Sequence, residues 1–266
     1  MTAGILHVSD LHIGRREAPE PVSALRDLAG ELAPELIVAT GDLAHRGRPH
    51  ELERAAELLR SLGPPVLAVP GNHDIPFSVP GRFTRTYAAW NDVFATTEPI
   101  HRSERVVCVG LSSVRPWRQQ GGALSADALT RAGVELGTAS PAALRVVALH
   151  HQLAAPPWRA GRKRPLRHRD AALRALADAR AELVVGGHVH QAAISERREF
   201  EALEDGRRAS LVLATAPGLG RPRPHRTGEA RGCNHYEWDA NELVVVTYAW
   251  DGGAFAETGR RSFARG

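Results

Sequence analysis

Short apolar runs alternate with amphipathic segments along the first half of the chain. Residues 5–9, 36–40 and 66–69 form apolar runs that predict strands, while residues 22–32 and 51–62 carry apolar side chains at helical spacing. Strands that alternate with helices are typical of βαβ units, so we expect a largely parallel sheet in this half of the chain.

The alternation continues to residue 186 and then stops. Three further strands are predicted at residues 105–111, 144–149 and 183–186. Two further helices are predicted at residues 125–134 and 171–179. Four later runs have no helix between them and predict antiparallel strands after about residue 190, at residues 192–199, 209–214, 234–238 and 243–250. No linker is evident, so we expect residues 1–266 to form a single domain.

Composition is that of an ordinary globular chain with a slight positive charge. Of 266 residues, 43% are hydrophobic, and 34 Lys and Arg against 30 Asp and Glu give a formal net charge of +4. This balance favours anionic substrates, phosphoesters among them. The two cysteines, Cys108 and Cys233, are too few for a disulfide framework. The chain begins with a predicted strand and has no apolar stretch near the roughly 20 residues of a membrane span, so we expect a cytoplasmic protein without membrane contact.

Potential metal ligands follow the carboxyl ends of five predicted strands. In chain order they are Asp10, His12, Asp42, Asn72, His73, His150, His151, His188 and His190. In open α/β sheets the ligand crevice lies at this edge, and five strands that all end in such residues are difficult to explain by packing. A set of imidazoles, carboxylates and one amide without thiolate suits manganese, iron, zinc or cobalt. We therefore expect two divalent cations, with manganese or iron favoured, joined by a bridging carboxylate.

Two pairs of these residues are spaced two apart. Leu11 separates Asp10 from His12, and Val189 separates His188 from His190. On an extended backbone both members of a pair point the same way while the residue between them points into the core. If the backbone at these pairs is extended, the spacing places both members of each pair on the same side.

The order of these motifs resembles the calcineurin-like metallophosphoesterases. The blocks DLH, GD, GNHD, HH and GHVH between residues 10 and 190 are similar to the family pattern DxH, GD, GNH[DE], H and GHxH. The resemblance implies the α/β fold of that family, a four-layer α/β/β/α sandwich of two mixed sheets with a two-metal site at one edge. It also implies hydrolysis of a phosphoester by in-line attack of a hydroxide that bridges the cations.

Carried over by motif position, three residues hold each cation and one carboxylate bridges them. The first cation takes Asp10, His12 and His190. The second takes Asn72, His150 and His188, and the bridge is Asp42. The resemblance implies that His73 stabilises the transition state or protonates the leaving group. It further implies that Asp74 orients His73 through a hydrogen bond.

The residues around the motif blocks narrow the resemblance to one group within the family. The runs SDLHIG, GDLAHRGRPHELERA and VPGNHD resemble bacterial class III cyclic-nucleotide phosphodiesterases, which implies small nucleotide phosphodiesters such as cyclic nucleotides as substrates. The alternative is an SbcD-type DNA nuclease, because SDLHIGR also resembles the start of those enzymes and arginines bind phosphate backbones. Against it, the chain after residue 190 is short for a DNA-capping region and shows no interleaved aromatic and basic stripe.

A third interpretation is an inactive interaction scaffold, which should lack one or more of the eight motif residues; all are present.

The oligomer that we consider for this chain is a homodimer. Two alternatives are open for His45 and Arg46, which follow Asp42 in the chain: they contact the substrate, or they lie in a solvated loop. The Pro- and Arg-rich segment 156–169 is a candidate lid or substrate loop, or an exposed connection.

Overall fold

The computed structural model describes residues 3–14, 20–118, 120–154, 165–198, 210–222 and 229–265. Most of segment 156–169 lies outside the described residues, so its predicted role stays a prediction. In chain order the elements are β1 (Ala3–Val8), α1 (Glu20–Leu32), β2 (Leu36–Ala39), α2 (Pro49–Arg60), β3 (Val66–Ala68), α3 (Gly81–Thr84), α4 (Ala88–Phe94), β4 (Ile100–Arg102), β5 (Val106–Gly110), α5 (Ala126–Gly137), β6 (Leu144–Ala148), α6 (Arg169–Asp178), β7 (Leu183–Gly186), β8 (Ala193–Arg198), β9 (Ser210–Thr215), β10 (Gly232–Trp238), β11 (Glu242–Trp250) and β12 (Phe255–Ala264).

The strands form two six-stranded mixed sheets. The first sheet has the order β12-β11-β10-β1-β2-β3, in which β1, β2 and β3 are parallel and β10 runs antiparallel to β1. The second has the order β4-β5-β6-β7-β9-β8, with antiparallel strands β4 and β8 at its edges. β9 is antiparallel to β8 but parallel to β7, so the parallel order extends past residue 190, further than the sequence predicted.

Alternating side chains give the sheets two apolar faces each. Ile5 and Leu36 belong to the core between the sheets, whereas their neighbours Leu6 and Ile37 face α1 and α2. On the far side, the outward residues of β5, β6 and β7 pack against α5 and α6. The layers are therefore helix, sheet, sheet and helix, and the predicted α/β/β/α sandwich is confirmed.

The predicted helices and strands are all present, with ends that differ by a few residues. The sequence reading missed α3, α4, β4 and β12. The first three have three to seven residues, too short for a periodic pattern, and β12 is mostly exposed apart from Phe263. None of the helices formed by the described residues combines the length and apolar character that crossing a bilayer requires.

Candidate metal centre

The fold brings the predicted ligands together where β1, β2, β3, β6 and β7 end. Ligand atoms of Asp10, His12 and His190 lie within 4.8 Å of one another, and so do those of Asp10, Asp42 and His150. Because these strands belong to both sheets, the group of side chains lies at the seam between them.

The backbone at most of the predicted ligands is left-handed, so the condition of extended backbone at the two pairs is not met. Five of the ligands have positive φ angles, with values of 54° at Asp10, 51° at His12, 52° at Asp42, 71° at His188 and 57° at His190. Each such non-glycine residue costs roughly 1–2 kcal/mol, and such strain concentrates at functional sites. The strands end before these residues, and the tight turns then present neighbouring polar side chains on the same side.

Glycines make room for the two aspartates. A Cβ on Gly71 would overlap the backbone nitrogen and Oδ1 of Asp42, and a Cβ on Gly187 would overlap Oγ of Ser9 and lie 2.6 Å from Oδ2 of Asp10. The GNH and GHVH blocks therefore need glycine so that the carboxylates can approach the backbone.

Asp10 presents one oxygen to the cluster of His12 and His190. Its Oδ2 accepts hydrogen bonds from Oγ of Ser9 at 2.7 Å and from the backbone amide of His188 at 2.9 Å. Its Oδ1 is buried, has no hydrogen-bond donor of suitable geometry among the described residues and lies 3.1 Å from Nε2 of His190. The Nε2 atoms of His12 and His190 are 3.2 Å apart. One carboxylate oxygen and two imidazole nitrogens thus converge, a donor set that suits a transition metal.

His150 and His188 belong to a second group with His151, and Asn72, the third predicted ligand, lines the same cleft as His188. Nδ1 of His150 donates to the carbonyl of Thr40 at 2.7 Å, which leaves Nε2 as the lone-pair nitrogen when the ring is neutral. That Nε2 lies 3.1 Å from Nδ1 of His188. Oδ1 of Asn72 is buried and has no hydrogen-bond partner within the described part of the chain. A buried amide oxygen without a donor is costly, and a cation would satisfy it.

Asp42 lies between the two groups. Its Oδ1 is 3.4 Å from Nε2 of His150, and its Oδ2 is 4.0 Å from Nε2 of His12. The backbone amide of His73 donates to Oδ1 at 2.8 Å and fixes the carboxylate. One oxygen of Asp42 therefore faces each group, an arrangement that allows the carboxylate to bridge two cations.

The pKa shifts of the candidate ligands are compatible with the binding of cations. Burial acts to raise the pKa of Asp42, but His150 and the other neighbouring histidines hold it well below its ordinary value. Burial acts to lower the pKa of His150, yet Asp42 raises it to about 9. Burial lowers the pKa of His12 to about 3. His12 thus keeps a free lone pair at neutral pH, whereas His150 holds a proton that a cation beside Asp42 would displace.

His73 has a different orienting partner from the one expected. Its Nδ1 donates to the backbone carbonyl of His45 at 2.8 Å, so the neutral ring carries its lone pair on Nε2. Asp74 accepts from the backbone amides of Ala44 and Gly71, each at 2.7 Å. The hydrogen bond between His73 and Asp74 that the resemblance implies is therefore replaced by the one from His73 to the carbonyl of His45. Asp74 ties the two turns together, and burial, followed by the charge of Asp42, raises its pKa to about 8.

Two histidines outside the predicted ligand set also lie here. The half-buried ring of His45 stacks on His73 with centroids 5.9 Å apart, so His45 packs against the predicted site, whereas Arg46 is exposed. His151 accepts or donates a 2.8 Å hydrogen bond between Nδ1 and Oγ of Ser113, and its ring centroid is 4.6 Å from that of His188. In the sequence, the HRG run after Asp42 could have indicated His45, and the HH doublet could have indicated His151.

A cleft of about 800 Å³ opens onto the centre. His12, Asp42, Asn72 and His73 line one part of it, and residues of α1 and α2 line another. This volume suits a ligand of nucleotide size.

Comparison with known sequences gives one family. The model for calcineurin-like phosphoesterases matches residues 3–192. A curated relative, described as a probable cyclic nucleotide phosphodiesterase of Synechococcus sp., is 30% identical over 214 residues, which cover 74% of this chain and 77% of the relative. The glycerophosphodiester phosphodiesterase GpdQ of Enterobacter lignolyticus is 34% identical over 65 residues, only 24% of this chain and 22% of that enzyme.

Solved structures share the architecture at low identity. The purple acid phosphatase PPD1 of yellow lupin aligns with a TM-score of 0.70 and 12% identity, over 100% of this chain and 54% of that one, so the chain spans about half the length of the lupin protein. Vacuolar protein sorting 29 of Cryptosporidium parvum aligns with a TM-score of 0.53 and 12% identity over 99% of both chains. At this identity the likeness shows the fold alone.

Proposed function

The chain belongs to the calcineurin-like phosphoesterase family, and from that premise we propose that it is a dinuclear metal-dependent phosphodiesterase that acts on small nucleotide phosphodiesters such as cyclic nucleotides. The position of Asp42 carries this proposal. One of its oxygens faces His150 and the other faces His12, so a single carboxylate can serve two cations. The expected ligands on either side are Oδ1 of Asp10, which lies 3.1 Å from Nε2 of His190, and Oδ1 of Asn72, which is buried without a hydrogen-bond partner in the described residues.

Seven side chains would hold the cations, for which manganese or iron is favoured over zinc or cobalt. When bound, such ions polarise phosphoryl oxygens and activate water for in-line displacement. The protein supplies the remaining parts. The carbonyls of Thr40 and His45 fix the tautomers of His150 and His73. Nε2 of His73 then donates to a phosphoryl or leaving-group oxygen only when the ring is doubly protonated.

Two observations support a small diester as substrate. Both curated relatives bear phosphodiesterase names. The cleft is of nucleotide size, and Arg26, Arg54 and Arg221 among its lining residues would favour an anion. All seven ligands and His73 are present, whereas an inactive scaffold would have no use for the complete set.

Metal analysis combined with a substrate panel tests the proposal. We expect two equivalents of transition metal per chain, loss of turnover on chelation and recovery with Mn²⁺ better than with Ca²⁺. Cyclic nucleotides and aryl diesters should be hydrolysed faster than p-nitrophenyl phosphate. Asp42→Ala should lose both cations and His190→Ala only one. Full activity without transition metal, or two cations retained in Asp42→Ala, would contradict the proposal.

Cytoplasmic location and a homodimer stay predictions. Cell fractionation tests the location, and light scattering on the purified chain tests the assembly.

A further inference from the structure

An exposed aromatic surface adjoins the metal centre. Three rings are more than half exposed, with fractional exposures of 57% at Phe77, 54% at Phe83 and 69% at Trp117. Val79 beside them is 71% exposed. Soluble chains rarely expose several large apolar side chains on neighbouring loops without a binding role. We call residues 76–85 and 115–118 the aromatic platform.

Arg82 joins the two halves of the platform. Its side chain is buried, and Nε donates to the carbonyl of Pro116 at 2.6 Å while a terminal nitrogen donates to the carbonyl of Pro76 at 3.2 Å. These prolines immediately precede Trp117 and Phe77. One guanidinium therefore holds the two exposed rings on adjacent loops, and prolines limit the freedom of both loops. The backbone that carries the exposed rings is therefore held in place by hydrogen bonds and prolines.

Both halves of the platform begin at the metal centre. The first half follows Asn72 and His73, and Phe77 comes four residues after His73. The second half follows Ser113, whose hydroxyl bonds with His151 beside His150, and Trp117 comes four residues after Ser113. Both halves of the platform are thus connected through a few residues to the turns that carry Asn72 and Ser113.

The charge of the platform is positive. Residues 75–91 and 105–126 contain no Asp or Glu, and Arg85, Arg115 and Arg118 flank the exposed rings. Glu98 accepts a hydrogen bond from the backbone amide of Ser112 at 3.3 Å, but its other oxygen pairs with Arg131. The linear sequence shows no interleaved aromatic and basic stripe because its two parts are about thirty residues apart, and the fold assembles them.

We propose that the aromatic platform binds single-stranded nucleic acid, with bases stacked on Trp117 and Phe77 and phosphates at Arg85, Arg115 and Arg118. Bases stack on exposed rings without regard to sequence, and arginines neutralise the backbone between them. The observations favour this partner over a lipid surface because arginines flank the rings and no acidic residue lies in either part of the platform, whereas a membrane-inserting face needs contiguous apolar bulk. The inference goes beyond the proposed function, since it concerns binding and holds whether or not cyclic nucleotides are hydrolysed.

Fluorescence anisotropy with a labelled dT12 probe tests the proposal on the metal-loaded protein, with the probe checked for cleavage afterwards. We expect binding that weakens with salt, with a slope of about −2 in log K against log [NaCl] for three phosphate contacts. Trp117→Ala should weaken binding roughly 5- to 150-fold, the range for loss of one stacked base, and Trp117→Phe should restore most of it. Arg118→Ala should reduce the salt slope by about 0.7.

Val134→Ala is the matched control, because Val134 is 65% exposed on α5 outside the platform. It should bind the probe as the wild type does. Each variant is also assayed on an aryl diester, so that loss of the centre is distinguished from loss of the platform. Absence of dT12 binding at low salt, or equal binding by Trp117→Ala, would overturn the proposal. So would co-sedimentation with phosphatidylglycerol vesicles in place of dT12 binding.

Discussion

Gly187 lies against the carboxylate of Asp10, and its missing side chain is a requirement of the site. We expect Gly187→Ala to displace Asp10, to lose the cation held by Asp10, His12 and His190, and to destabilise the fold by about 1–3 kcal/mol through overpacking. Metal analysis and thermal unfolding measure the two effects. Gly30→Ala is the control, because nothing lies within 4 Å of the added methyl group and the helix should gain up to about 1 kcal/mol. A full metal content in Gly187→Ala would show that Asp10 tolerates the shift.

His73 is the motif residue expected to act without binding metal. His73→Ala should keep both cations and lose roughly 10²–10⁴ in kcat/KM, the range for a positioned acid. If Nε2 protonates the leaving group, the loss should shrink for diesters with p-nitrophenolate, which needs no proton. A series of aryl diesters with graded leaving-group pKa measures this dependence. An equal loss across the series would leave His73 as a stabiliser of charge, and no loss would remove it from the reaction.

The convergence of the predicted site residues could be anticipated from the sequence, although ligation itself stays a prediction. Each motif block follows a strand, and the parallel strands of one sheet end at one edge, so Asp10 was expected near Asp42 and His150 near His188. The packing of the two sheets then brings these two pairs together. The left-handed turns, the amide partners of Asp74 and the stacking of His45 on His73 could not be anticipated. They depend on the contact between the turns at 42–47 and 71–75, which are some thirty residues apart and whose packing no local pattern encodes.

At the scale of elements, β1 carries a buried histidine whose state links stability to pH. His7 bonds Tyr236 Oη at 2.7 Å and Thr40 Oγ1 at 2.8 Å, and burial lowers its pKa to about 3, although Asp10 acts in the opposite direction. The folded pKa lies below the unfolded value near 6.5, so the contribution of His7 to stability is complete above about pH 6.5. It is lost progressively as the pH falls toward 3.

Between pH 6.5 and 4.5 this loss should be about 2–3 kcal/mol, because two pH units each correspond to about 1.4 kcal/mol. Urea unfolding of the chelated wild type and of His7→Gln at several pH values measures it. The variant is less stable at neutral pH, since it loses hydrogen bonds, but its stability should fall less steeply with acid. Parallel pH curves for the two proteins would contradict the shifted pKa.

Helices and strands were predicted correctly where their hydrophobic pattern was long or continuous enough to recognise. α2 and α5 each bury one face over twelve residues, and β7 is a fully buried run with the same bounds as predicted. β12 was missed because its ten residues bury little more than Phe263. They form a strand through antiparallel pairing with β11, which is a tertiary contact. Strand propensity alone does not identify such an edge.

For the whole molecule, the candidate metal ligands lie where the two sheets meet. Asp10, Asp42 and Asn72 follow strands of the first sheet, while His150 and His188 follow strands of the second. Cations that bind all of them favour the state in which the sheets are packed, and the unfolded chain holds no such site. Metal binding should therefore raise the unfolding temperature of the entire chain in one transition.

With free Mn²⁺ at 100 times its Kd, each independent site should add about 2.7 kcal/mol, or about 5–11 °C in Tm for a chain of this size. Calorimetry of the chelated and reloaded protein measures the shift. His190→Ala, which keeps the second group of ligands, should show about half of it, and Asp42→Ala almost none, because the bridge serves both cations. A shift in Asp42→Ala equal to that of the wild type would mean that the ions bind outside the seam. The sheets would then be held together by the apolar core between them without any contribution from metal.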